Sequence, residues 1–185
     1  MDYFIEERLN ILLEKLKNAI YTEKIRPESI SYALCDYKKG HTPPSIEEFK
    51  PLLETKEINQ PDTHYWIHFS VDTPALENKD NELVLIFKST VQDDRWWISG
   101  YPQGILYING ELIQGTDANH EYIKVEENSH LDVYVYCYNS YEVSTCFNFN
   151  VCVAEKDIAI KDAYYDIFTA LQTAQLFDPK NISRV

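Results

Sequence analysis

The chain has 185 residues, enough for one ordinary domain with its own core but not for a sandwich together with a catalytic barrel. With 30 acidic against 17 basic residues, its formal charge of −13 repels phosphate backbones and anionic headgroups, which excludes nucleic acid and membrane surfaces as partners. A hydrophobic share of 44% and a charged share of 25% suit a folded globular protein, while 14% aromatic residues, led by 14 tyrosines, lean toward β-structure and away from disorder.

No run approaches the length of a membrane span, and the start, Met1-Asp2-Tyr3-Phe4-Ile5-Glu6-Glu7, lacks the basic and apolar regions of a signal peptide. A cytoplasmic protein is expected. Cys35, Cys137, Cys146 and Cys152 form no CxxC pair, and three of the four fall in strand-like stretches, so buried free thiols are expected in place of disulfides.

From Asp2 to about Thr22, the apolar residues Phe4, Ile5, Leu9, Leu12, Leu13, Leu16 and Ile20 recur every three or four positions, which predicts an amphipathic helix. Arg26-Pro27-Glu28 breaks it, Ile30 to Cys35 reads as a short strand, and Lys39 to Pro44 is a proline-containing loop. Helix is expected again from Ser45 to Leu53, where Ser45 and Glu48 stand at capping-box spacing. Beyond Pro61 the period changes to two. Tyr65, Ile67, Phe69 and Val71 would form one face of a strand, and Trp66, His68 and Ser70 the other. Further strands are expected at Leu83 to Lys88, Ile105 to Ile108, Glu111 to Gln114, Leu131 to Tyr138 and Phe147 to Ala154. Asn109-Gly110 between two of these is the signature of a type I′ hairpin, because both residues accept positive φ. Asp157 to Lys161 leads into a final helix carrying Tyr164, Ile167, Phe168 and Leu171. The expected organisation is an N-terminal helical segment over 1–60, an antiparallel β-sandwich over 61–156, and a C-terminal helix over 157–185.

Three segments stand in a recognisable order: Asp62-Thr63-His64-Tyr65-Trp66, then Gln103-Gly104-Ile105-Leu106-Tyr107-Ile108-Asn109-Gly110, then Gly115-Thr116-Asp117-Ala118-Asn119-His120. Together they resemble the N-terminal domain of cytosolic-type α-mannosidases of glycoside hydrolase family 38. The resemblance implies a mainly β, jelly-roll-like (galactose-binding-like) sandwich flanked by helices, placed ahead of a catalytic domain that hydrolyses terminal α-mannosidic bonds with a carboxylate nucleophile and a divalent metal, usually zinc. The metal-binding His-Xaa-Asp with following tryptophans is not in this chain, so no catalytic residue, no metal ligand and no cofactor is carried over to it. What remains is a non-catalytic carbohydrate-metabolism module, inactive alone, whose partner is a catalytic domain on the same polypeptide or another subunit.

Several side-chain groups invite chemistry. His130-Leu131-Asp132 has His-Xaa-Asp spacing, and a strand would put both side chains on one face about 7 Å apart, but no third ligand stands nearby. His64 and His68 would share a strand face with Trp66 between them, which suits hydrogen bonding across a sheet better than zinc. Asp117, Asn119 and His120 form a turn-making stretch that either closes on its own backbone or faces a neighbouring domain or a sugar. Trp96, Trp97 and Tyr101 cluster beside Gly100 and Pro102. Docking against another domain or subunit is the favoured role, and a stacking platform for a mannose-containing oligosaccharide, in a free-standing carbohydrate-binding module, is the alternative.

Overall fold

A computed structural model describes residues 3–37, 42–53, 58, 60–91, 103–117, 120, 122–139 and 147–177. In chain order the elements are α1 (Tyr3–Ala19), β1 (Tyr21–Ile25), β2 (Ser31–Cys35), a 3-10 turn (Ile46–Glu48), β3 (Lys50–Pro51), β4 (Thr63–Asp72), β5 (Glu82–Val91), β6 (Gln103–Ile108), β7 (Glu111–Thr116), β8 (Tyr122–Lys124), β9 (His130–Asn139), β10 (Phe147–Lys156) and α2 (Ile158–Leu176). The strands form two antiparallel sheets, ordered β1-β10-β5-β8 and β3-β2-β4-β9-β6-β7. The expected mainly β sandwich with a helix at each end is therefore present.

The contacts divide the chain into two units. One comprises 24–75 and 84–153 and contains the six-stranded sheet; the other comprises 1–23, 76–83 and 154–185 and contains both helices. In the first, the two-residue period sets the core. Tyr65, Ile67 and Phe69 of β4 stand opposite Cys137, Val135 and Val133 of β9, and all six are at most 1% exposed. Phe69 then stacks on Phe87 of β5, with ring centroids 6.3 Å apart, and Phe87 meets Phe149 of β10 at 5.2 Å, so aromatic rings join the two sheets. Each such side chain removed from water contributes roughly 1.5–3 kcal/mol. Among the described polar side chains buried in this unit, Asn139 is the most enclosed. Fully buried Asn139 accepts from the Tyr65 hydroxyl at 3.2 Å and donates to the carbonyls of Ile58 and Gln60, which ties the chain ahead of β4 to the end of β9. Cys35, Cys137 and Cys152 are free thiols, and burial pushes the Cys137 thiol far above its usual range. Cys146 lies outside the described residues.

Two expectations need correction. The first helix stops at Ala19 and not near Thr22: Tyr21, Thr22 and Ile25 favour an extended backbone and enter β1. The segment from Ser45 to Leu53 is not a helix but a single 3-10 turn followed by the two residues of β3. The Ser45 amide does donate to the Glu48 carboxylate at 3.1 Å. Pro51, however, disfavours helical geometry at Lys50, and Phe49 is extended, its ring edge-on to His68 and Tyr134. One strand, β8, had no readable signal because it spans only three residues.

In the unit that holds the helices, α1 packs on α2, and each helix buries a leucine, Leu13 on α1 and Leu171 on α2. Asp157 starts α2: its carboxylate accepts from the Ile160 amide at 2.8 Å, while its own amide donates to the Ile20 carbonyl at 2.8 Å. Among the described residues no helix is long and apolar enough to cross a membrane. Beside the cap, the Glu155 carboxylate, 6% exposed, accepts from the amides of Glu77 at 3.3 Å and Asn78 at 3.1 Å and from the Asn81 side chain at 2.9 Å. A buried charge with three donors is stable, and three donors without it are not. Glu155→Ala should lower the unfolding free energy by about 2–4 kcal/mol, read as a fall in the urea midpoint at constant slope; an unchanged midpoint would show that the loop at 77–81 is held by other contacts.

Candidate functional site

Sequence-separated residues converge on two places in the sandwich unit: the outer face of the six-stranded sheet and a cleft beside the β6–β7 hairpin. The face is assembled by register. Ser31, His68, Tyr134, Tyr107 and Leu112 stand opposite one another across β2, β4, β9, β6 and β7, and Ala33, Trp66, Tyr136 and Ile105 make the next row. Trp66 is only 2% exposed because Tyr107, Tyr134 and Tyr136 surround its ring at centroid distances of 5.3 to 6.5 Å.

The histidines on this face are engaged. His68 Nε2 lies 2.8 Å from Asp132 Oδ1, and its Nδ1 lies 3.4 Å from the Ser31 hydroxyl. Burial, with smaller contributions from Cys35, Tyr37 and Cys137, pushes the Tyr136 hydroxyl up to about 12, and the hydroxyl lies 2.7 Å from His64 Nδ1, within hydrogen-bond distance. The His64 ring also stacks on Tyr138 at 4.5 Å. His130, in turn, pairs with Asp72 at 2.7 Å. The His130-Leu131-Asp132 spacing thus sends its two polar side chains to two different partners on β4, and among the described residues no group of three or more His, Cys, Asp and Glu could hold a metal ion.

The cleft measures about 490 Å³ and is lined by Gln103, Gly104, Gln114, Gly115, Thr116, Asp117 and His120. Its geometry begins with the hairpin. Asn109 and Gly110 have φ of 52° and 82°, the left-handed pair that a type I′ turn demands. The Asn109 side chain then accepts from the Asp132 amide at 2.9 Å and donates to the His130 carbonyl at 3.2 Å, which pins the turn to β9. Between Tyr107↔Leu112 and Leu106↔Gln114 the register slips, leaving Ile113 as an extra residue in β7. Thr116 comes to lie opposite Gly104, and a Cβ built on Gly104 would meet Thr116 Oγ1 at 2.4 Å.

Asp117 and His120 close the rim. Asp117 Oδ1 accepts from the His120 amide at 3.0 Å and lies 2.9 Å from His120 Nδ1, an Asx-type turn with its histidine on the outside. Both side chains remain open to solvent, at 45% and 62% exposure. Asn119, Trp96, Trp97 and Tyr101, the other candidates from the sequence, lie outside the described residues. Gln114 and Thr116 were not singled out by sequence reasoning, since nothing in a linear pattern marks a strand residue as lining a cleft.

Gly104→Ala should cost about 1–3 kcal/mol by overpacking against Thr116 Oγ1, the Tyr136 carbonyl and Val135. Gly115→Ala, whose new methyl would meet only the Gly104 carbonyl at 3.7 Å, should stay within about 0.5 kcal/mol of wild type. Thermal denaturation of the pair checks this contrast, and equal melting temperatures would contradict it. No family model matches the chain and no curated protein sequence matches it, so the family resemblance stands on its motifs alone.

Proposed function

We propose that this chain is the non-catalytic N-terminal module of a cytoplasmic α-mannosidase of glycoside hydrolase family 38, in which a separate catalytic region, holding a divalent metal such as zinc, cleaves terminal α-mannosidic bonds. The module's task is to dock that region and to make subunit contacts. The observation that carries the reading is convergence: the motif at Thr63 to Trp66 lies on β4, the motif at Gln103 to Gly110 on β6 and its turn, and the motif at Gly115 to His120 at the end of β7, all on one sheet with only β9 among them. Motifs so far apart in sequence are thereby brought onto one sheet. Apolar side chains exposed on the helices, among them Phe4, Ile5 and Leu12 on α1 and Tyr165, Phe168 and Leu176 on α2, support docking as the role.

Purified alone, the chain should release no product from an aryl α-mannoside, followed by absorbance; turnover by this chain would overturn the proposal. The coding sequence beyond Val185 should carry a His-Xaa-Asp with tryptophans close behind. In that full-length enzyme, Asp117→Ala combined with His120→Ala should weaken assembly, measured by sedimentation, and normal assembly with normal turnover would remove those two residues from the interface.

A further inference from the structure

The cleft beside the hairpin holds a polar group that the fold does not use. Thr116 is 7% exposed, and among the described residues its hydroxyl has no hydrogen-bond partner. A buried hydroxyl left unpaired costs about 1–3 kcal/mol relative to a paired one, so such a group in a native fold calls for an occupant. Its position is built: Oγ1 fills the space above the bare α-carbon of Gly104, in a cleft whose volume of about 490 Å³ is within the usual range of small-ligand sites. Gly115 borders the same space. No steric neighbour crowds the position, since an added Cβ would meet only the Gly104 carbonyl at 3.7 Å, so the bare backbone there leaves room for a group to approach.

The lining defines the chemistry of the occupant. Gln103 and Gln114 offer amide donors and acceptors, Thr116 a hydroxyl that does both, Asp117 an acceptor and His120 a ring nitrogen, while none of the described lining residues is a lysine or arginine. Gln114 already donates once, to the Tyr122 carbonyl at 3.3 Å, which orients its amide. Among the described lining residues an anion finds no lysine or arginine and meets Asp117 on a chain of net charge −13; an apolar ligand would leave the Thr116 hydroxyl unpaired. A ligand whose every hydroxyl both donates and accepts satisfies it.

We infer that the cleft lined by Gln103, Gln114, Thr116, Asp117 and His120 is a binding site for a neutral pyranose sugar, with the Thr116 hydroxyl as its buried anchor. The site shares Asp117 and His120 with the proposed docking contact but rests on Thr116, which that contact does not use, so binding by the isolated chain and assembly of the full-length enzyme are tested separately. The test titrates the isotope-labelled chain with methyl α-mannopyranoside, methyl α-glucopyranoside and glucuronate, following amide shifts by NMR. At least one neutral pyranoside should bind saturably and shift the amides of Gly115 and Thr116, and glucuronate should bind more weakly. Thr116→Val, which keeps the shape and deletes the unpaired hydroxyl, should fold with an equal or higher melting temperature and bind roughly threefold to tenfold more weakly. No saturable shift with either neutral pyranoside up to roughly 100 mM, equal binding by the valine variant, or glucuronate binding as tightly would each overturn the inference.

Discussion

One surplus residue in β7 governs what this sandwich presents to its surroundings. A two-residue turn at Asn109-Gly110 by itself would pair Gly104 with Gly115 and turn Thr116 toward the opposite face. Because Ile113 is the extra residue of a bulge, the register advances by one: Gly104 faces Thr116, Ile105 faces Gly115, and the hydroxyl of Thr116 rotates inward. The slip is tolerable because the turn is fixed independently. Asn109 exchanges hydrogen bonds with β9 through its side chain and through its backbone amide, which donates to the Asp132 carbonyl at 2.9 Å. A hairpin anchored at its tip can absorb a bulge in its edge strand without losing alignment with the sheet, and β7 is an edge strand.

The polar groups of the sheet face and those of the cleft have opposite characters. On the face, His64, His68 and His130 each meet a tyrosine hydroxyl or a carboxylate, and the rings around Trp66 pack closely enough to hide it. Such a network is satisfied internally, and its residues are positioned to specify register: each histidine meets its partner only when β4 and β9 align as they do, since a one-residue slip would send every pair to opposite faces. In the helical unit, Glu155 plays the same part for the loop at 77–81. The histidines that look most reactive in the sequence are thus structural by geometry.

The sandwich was legible because its signals are local and strong. Alternation in β4 and β9 reports burial on one face, and Asn109-Gly110 reports a turn through the φ values only such residues accept easily. The segment from Ser45 to Leu53 departs from helix because a capping pair predicts how a helix starts, not whether tertiary contacts let it continue; here Pro51 disfavours helix at Lys50, and Phe49 is extended with its ring against His68 and Tyr134. The cleft was only partly legible. Asp117 and His120 announced a turn, and they do close one, but the residues beside them depend on register. No composition or period in β7 distinguishes a regular strand from one carrying an extra isoleucine, and the position of Thr116 follows from that difference alone.

That dependence bears on why the cleft is a place for a ligand and the aromatic face is not. A surface evolves binding most readily where polar groups are held by the scaffold yet unspent within it, since satisfying them then stabilises the complex without dismantling the fold. On the face, the histidines are already engaged: a ligand would have to displace Asp132 from His68 or Tyr136 from His64 before bonding to either ring. In the cleft the bulge has buried a hydroxyl opposite a glycine, and the Asx-type turn has fixed a carboxylate and an imidazole at the rim, with the histidine mostly open to solvent. The same inserted residue that shifts the register therefore sets the receptive cleft apart from the paired histidines of the face, although both are built from strands of a single sheet.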